Sequence, residues 1–287
     1  MEIHATSIGT PLPPSRFHAK VHSIFSNSVN LKDTDSDSIT TILFRTNADQ
    51  PGDIRLLPDM IQIRNTFFTD QIIICEDRKM MLQGTSTTID LSLAKLVDCS
   101  LPNLDFLPTP KNHSIVENLK NALIEAEKMK CEFNNINVQI QLKLFRGIEK
   151  LKTAARSNDV NAAATAVQEL VGLGMGLTPS GDDILIGFLA GLEITKKNNR
   201  ARRDFYHFFK TLVVLSAPKT NSISGKYLKF AASRFYSTTL INLLIGICSG
   251  ESAAMIKQKT HMVLETGHTS GFDILSGLTA GLDTLFA

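Results

Sequence analysis

The first hundred positions alternate between apolar and polar on a short period. Runs rich in Ile, Val, Thr and Phe recur at 18–25, 39–45, 60–67, 71–76, 80–83 and 87–91. Polar or turn residues bound most of them, at 32–38, 49–53 and Gly84. Short strands so closely spaced predict an antiparallel barrel or sandwich rather than βαβ units. The stretch 92–97 is expected to form a closing helical turn. Between 101 and 112 stand Pro102, Pro108 and Pro110, which cannot be helix interior and fit a linker.

Beyond that point the period changes to that of a helix. Val116, Leu119, Leu123 and Ala126 fall on one face, as do Ile140, Leu144, Ile148 and Leu151. Asp159 is positioned as the N-cap of a helix that runs to about Val171 and stops at Gly172. From Gly181 onward the pattern stays helical, with breaks near Asn198, 217–220, Gly250 and Gly267. The expected fold is therefore α+β. An N-terminal β domain with a proline-rich end covers 1–110, and an all-α domain covers 111–287.

The helical half contains an internal repeat. Residues 180–192, SGDDILIGFLAGL, return at 270–282 as SGFDILSGLTAGL, nine of thirteen positions being identical at a constant offset of 90. In each copy a Ser stands three residues before an Asp, the spacing of a capping box. Ser180 and Ser270 are therefore expected to cap helices, with Asp183 and Asp273 complementing the dipoles. Gly187, Gly191, Gly277 and Gly281 give flat faces on which two helices could cross closely.

Capping and packing leave part of the motif unexplained. The first copy is preceded by Gly172, Gly174 and Gly176 in alternation and then Leu177-Thr178-Pro179. Glycine-rich backbone at a helix N-terminus suits phosphate or carboxylate, and Thr178 and Ser180 add hydroxyl donors. It is neither a Walker A loop nor a dinucleotide-binding turn, since the Gly-Lys-Ser/Thr ending and the preceding strand are both missing. Asp182 has no counterpart in the other copy, where Phe272 stands, and is a candidate general base or Mg²⁺ ligand as well as a dipole-compensating carboxylate. His268, at a loop–helix junction, is a candidate for orienting substrate or moving a proton. The segment from Thr220 through Ser224 to Leu228 reads as a third hydroxyl-rich helix start, with Lys226 either exposed or available to an anion.

Composition narrows the classes. Thirty Lys+Arg against 28 Asp+Glu leave a net charge of +2 and no electrostatic footprint for nucleic acid. The cluster Lys196, Lys197, Arg200, Arg202 and Arg203 reads as a solvated helix end. Cys75, Cys99, Cys131 and Cys248 form no C-x-x-C pair, so no zinc or redox motif is expected. No segment approaches the ~20 apolar residues that span a bilayer. A cytoplasmic protein without membrane or nucleic-acid partners is expected.

At 172–187, 220–232 and 267–277 the sequence resembles the AllH-type subunit of oxamate carbamoyltransferase. Gly174, Gly176, Leu177, Thr178, Pro179, Ser180, Asp182 and Asp183 match that family's first motif, Thr220, Ser224 and Tyr227 its middle block, and His268 to Asp273 its last. Met175 stands where a proline is common. The resemblance implies reversible carbamoyl transfer, in which oxalurate and phosphate exchange with oxamate and carbamoyl phosphate in anaerobic allantoin (purine) breakdown. It also implies a multi-subunit assembly with an acyl-CoA-synthetase-like partner; homo-oligomerisation is left open. The catalytic candidates among the matched residues are Asp182, Asp183, His268 and Asp273. The anion-binding candidates are Gly174, Gly176, Thr178, Ser180, Gly181, Thr220, Ser224, Thr269, Ser270 and Gly271. No resident metal or cofactor is expected, with Mg²⁺ left open. Two alternatives stand beside this: a non-catalytic anion-binding or scaffold subunit, and a metal-dependent hydrolase or ligase using Asp182, Asp183 and Asp273.

Overall fold

The computed structural model describes residues 1–286 apart from 37, 45–47, 57–64 and 132–137. The chain forms two compact units, Met1–Ser100 with Phe235–Thr238, and Leu101–Arg234 with Thr239–Ala287.

The first unit is built on a ten-stranded sheet: β1 (Glu2–His4), β2 (Ser7–Gly9), β3 (Phe17–Ile24), β4 (Ser28–Asp33), β5 (Ile39–Leu43), β6 (Ile54–Arg55), β7 (Ile72–Glu76), β8 (Lys79–Leu82), β9 (Thr88–Asp90) and β10 (Lys95–Val97). Their order is β1-β9-β8-β7-β3-β4-β5-β6-β2-β10. Most pairings are antiparallel, as expected, but β1/β9, β2/β10 and β5/β6 run parallel. The stretch 2–9 therefore pairs at both ends of the order, and the Ala5 amide to the Asp90 carbonyl and Lys95 amide to the Thr6 carbonyl bridge the two pairings. The sheet curls round on itself in consequence.

Alternation works as expected in β3, where Phe17, Ala19 and Val21 are buried and His18, Lys20 and His22 exposed. It fails in β4, which buries Val29, Asn30 and Leu31 in succession and so carries no two-residue signal. Asn30 is accommodated because its amide donates to Ser23 Oγ at 3.0 Å and its carbonyl accepts from Thr41 Oγ1 at 3.0 Å. The helical turn expected over 92–97 is instead strand β10, drawn into the sheet by its parallel register with β2. The run 60–67 falls mostly outside the described residues, and 65–67 are turn and coil.

The second unit holds α1 (Pro110–Cys131), α2 (Val138–Ser157), α3 (Val160–Leu170), α4 (Ser180–Thr195), α5 (Arg200–Ser216), α6 (Ser222–Ala232), most of α7 (Thr238–Ser249), α8 (Ala253–Leu264) and α9 (Ser270–Asp283). Breaks fall near Asn198, 217–220, Gly250 and Gly267 as the sequence marks them, and a further one at 233–237 carries no such mark. Residues 101–109 lack regular structure, yet Leu101 and Phe106 are buried and the Phe106 amide bonds the Ile194 carbonyl. Asp159 caps α3, its carboxylate accepting from the amides of Asn161 and Ala162.

Helix α4 is the core of this unit, buried from Gly181 to Thr195. It crosses α9 at backbone contact. A Cβ at Gly187 would lie 1.9 Å from the Ile274 carbonyl oxygen, and one at Gly277 would lie 2.0 Å from that of Ile184. Gly191 and Gly281 repeat the relation, each 2.9 Å from a carbonyl oxygen, of Leu278 and Phe188. The contacts are reciprocal under the 90-residue offset, so the copies face each other across a pseudo-twofold. Arg202 departs from the solvated end expected of its cluster. It is buried, and its guanidinium reaches Thr195 Oγ1, the Gly281 carbonyl and both the carbonyl and hydroxyl of Thr284, closing the C-terminal end of α9.

The crossing makes a signed prediction. Helix propensity alone makes alanine better than glycine by about 1 kcal/mol. We expect the opposite here: Gly187→Ala and Gly277→Ala each lower the unfolding free energy by about 1–3 kcal/mol or more, measured by urea titration of the helical circular dichroism signal.

Candidate functional site

Each copy of the repeat brings the end of one helix, α3 or α8, back onto the start of the next, α4 or α9. Gly181 and Gly271 permit this, since a Cβ at either would strike a backbone carbonyl oxygen, of Leu170 at 1.9 Å and Val263 at 2.0 Å. The connecting loops differ. The first, 171–179, is four residues longer than the second, 265–269, and carries Gly172, Gly174 and Gly176 at φ of +73°, +123° and +97°. At Gly174 a side chain is excluded by space as well, with the Ser180 amide nitrogen 2.6 Å from the Cβ position.

The capping boxes expected at Ser180 and Ser270 do not form. Both serines are the first helical residue, the N-caps being Pro179 and Thr269, and neither cap makes a side-chain hydrogen bond. The serines are one residue too far inside to bond back to the third amide, which releases their hydroxyls. Ser270 Oγ instead meets Thr178 Oγ1 at 2.8 Å. That contact joins the longer loop to the opposite helix start. Around it the helix-start amides are unengaged: those of Gly174, Gly176, Thr178 and Ser180, and of Gly267, His268, Thr269 and Ser270, donate no hydrogen bond within the described residues. Two helix N-termini with unengaged donors thus lie together, an arrangement that favours an anion.

Asp182 and Asp183 are adjacent in sequence and opposite in environment. Asp182 is a strut. Its Oδ1 accepts from the Gly172 amide at 2.8 Å, and its Oδ2 from Thr220 Oγ1 at 2.5 Å and Ser224 Oγ at 2.7 Å. Thr220 and Ser224, candidates for the anion themselves, are thereby committed to Asp182. Asn221, whose role the motif reading missed, caps α6 by accepting from the amides of Ile223 and Ser224. The second copy has no long loop to tie down, which accounts for Phe272 at the position of Asp182. Had the unequal loop lengths been weighed with that replacement, they would have signalled a tether.

Asp183 has the burial without the partners. It is 2% exposed, and its Oδ2 is buried with no hydrogen-bond partner. Burial pushes its carboxyl well above the ordinary carboxylate range. The Ser270 and Thr178 hydroxyls pull against this, while the charges of Asp273 and Asp182 push it further up. Asp273 is buried in the matching first turn of α9. His268 is exposed on the second loop. Asp182, Asp183 and Asp273 share this region, yet no group of three or more His, Cys, Asp or Glu among the described residues is arranged to hold a metal ion.

Comparison with known families covers both units. Residues 170–282 match the model described as oxamate carbamoyltransferase subunit AllH, and residues 4–96 match the AllH family N-terminal domain. The chain belongs to the AllH family. The first match starts at the end of α3 and stops near the end of α9, so the AllH segment brackets both helix starts and the Thr220–Ser224 tether. No solved structure matches this chain. No helix among the described residues is long and apolar enough to cross a membrane.

The two neighbouring aspartates should respond oppositely to mutation. Asp182→Ala strands an amide and two hydroxyls, and we expect it to cost about 3 kcal/mol or more in urea unfolding. For Asp183 the folded-state pKa is raised above an unfolded value of about 3.9. Below that value both states are protonated; above it only the unfolded chain ionises freely, so the wild type loses stability as pH rises. Asp183→Asn should therefore melt higher than wild type at neutral pH, the gap closing toward pH about 4. A pH-independent gap in thermal melts contradicts this.

Proposed function

We propose that this chain is the anion-binding subunit of an oxamate carbamoyltransferase-like enzyme, which exchanges oxalurate and phosphate with oxamate and carbamoyl phosphate. The observation that carries the reading is the Thr178–Ser270 contact, which joins two helix starts whose amides are unengaged. Family membership supports the same chemistry, and the word subunit in the family's description supports work within an assembly. Phosphate, oxamate and oxalurate are all small anions, and glycine-rich helix N-termini suit each of them.

In this reading Thr178, Ser180, Ser270 and the amides of Gly174 and Gly176 hold the anion, while Gly181 and Gly271 let each helix start close onto the end of the helix before it. Carbamoyl transfer moves charge onto the carbonyl oxygen as the new bond forms, and preorganised N–H and O–H donors stabilise it. The longer first loop is the natural seat for phosphate because it offers more amides. His268, exposed beside the second loop, is free to orient or deprotonate the attacking amide. Asp182 contributes by holding the first loop and does not touch substrate. The acyl-CoA-synthetase-like partner belongs to this proposal as well.

The test pairs binding with turnover. Titrating the full chain calorimetrically with oxamate and with phosphate should give saturable binding, weakened about tenfold or more by Thr178→Val or Ser270→Ala. In the assembled enzyme, His268→Ala should lower carbamoyl phosphate formation about a hundredfold. Anion binding with normal turnover in that variant assigns this chain a supporting role. No binding of either anion removes the proposal.

A further inference from the structure

Helix α2 carries two apolar faces where a helix on the surface of a folded unit needs one. Ile140, Leu144, Gly147 and Leu151 make the stripe that leads into the unit, and the last two are buried. Val138, Leu142 and Phe145, spaced four and three residues apart, make a second stripe on the opposite side. They are 63%, 44% and 63% exposed, and Ile124 on α1 is 50% exposed. Single apolar residues in solvent are ordinary, whereas a stripe at alternating four and three spacing is the seam of a helix–helix contact.

Both helices run on past the body of the unit. Lys120 of α1 and Lys152 and Arg156 of α2 converge on the Asp283 carboxylate at the end of α9, at 2.7, 3.2 and 3.1 Å. Outward of that anchor, no residue of 120–128 or 138–146 is buried. Nine helical residues span about 13 Å, so each helix continues for more than two turns without a core.

The charges on this tip are divided between the two helices. Helix α1 has Glu125 and Glu127 against Lys128, and α2 has Lys143 and Arg146 with no acid before Glu149. Closer to the anchor the charges pair within the chain, Glu117 with Lys120, Glu149 with Lys152 and Lys150 with Glu169. Glu125, Glu127, Lys143 and Arg146 make no ion pair among the described residues. Glu127 stands three residues after Ile124, and Arg146 four after Leu142, so each flanks an exposed apolar residue on its own helix.

We propose that this tip is a self-association surface, on which α1 of one copy packs against α2 of a second copy about a twofold axis. A twofold contact uses one patch twice, so the patch must complement itself. This one does: Ile124 of each copy meets the Val138–Leu142–Phe145 stripe of the other, and Glu127 of each meets Arg146 of the other. The four helices then cover both stripes, as in an antiparallel bundle. The apolar centre carries the affinity, and the charged pairs at the rim select the partner and the register. Pairing α2 with α2 instead would set base beside base. Because one chain holds both the acid and the base, a second copy completes the surface with no other protein. The surface uses none of the anion-site residues and stands apart from the proposed function.

Sedimentation velocity of the full chain over about 1–200 µM tests this. We expect a reversible monomer–dimer equilibrium within that range. Phe145→Glu puts a charge into the seam and should weaken the dimer about a hundredfold or more, leaving monomer. Glu127→Arg and Arg146→Glu each set like charges opposite one another at both symmetry-related pairs, and each should weaken it about tenfold. Mixing these two single variants restores opposite charges at both pairs, so the mixture should dimerise like wild type. All three positions are exposed, and helical circular dichroism checks that each variant folds. A chain that stays monomeric across the range overturns the proposal, even if another subunit is found to cover the stripe. A dimer that survives Phe145→Glu also overturns it, as do charge variants whose mixture fails to recover.

Discussion

The second unit depends on one constraint, the approach of α4 and α9 to backbone contact. Four glycines replace side chains with carbonyl oxygens at the crossing, and the contacts repeat under the 90-residue offset. Helices packed through ordinary side chains lie about 8–10 Å apart, and removing Cβ atoms brings them closer. This closeness carries to the N-terminal ends, where Thr178 and Ser270 come within 2.8 Å. The same device recurs six residues earlier in each helix. Gly181 and Gly271 let each helix start fold against the end of the helix before it. Crossing and loop return together fix where the two sets of N–H groups point.

Within that frame duplication and divergence divide the work. The shared residues build the frame: Ser, Gly and Asp at each start, and glycines along each crossing face. The unshared ones differentiate the halves. The first copy has a longer glycine loop, and Asp182 ties it to the Thr220–Ser224 segment through both of its oxygens. The second copy has a short loop, Phe272 at the matching position, and His268 exposed at the junction. A symmetric scaffold with asymmetric loops keeps one frame while giving its two loop–helix junctions different donors.

Much of this was legible in the chain because the signals were local. Glycine spacing, the cap at Asp159 and most helical breaks depend on residues within one or two turns, and the repeat is read by aligning two segments 90 positions apart. The sheet was legible where one strand face meets solvent, as in β3, and illegible in β4, where three successive residues are buried. The strands β1, β2, β6 and β10 are two or three residues long, too short for any period to appear. In the site, Ser180 and Ser270 have capping-box spacing, but the boundary falls one residue earlier, a shift no pattern resolves. Asp182 and Asp183 look interchangeable in sequence. What separates them is which distant hydroxyls the fold delivers to each, 38 and 42 positions away for Asp182. Arg202 likewise reads as a surface charge until its partners, 79 and 82 positions on, are known.

The central claim is that the two loop–helix junctions act together on one small anion. Amide chemical-shift mapping of the ¹⁵N-labelled full chain during an oxamate titration tests it most directly. The account predicts that Gly174, Gly176, Thr178 and Ser180 shift together with Gly267–Ser270, along one saturation curve. Shifts confined to one loop, or centred on residues outside both, would contradict it.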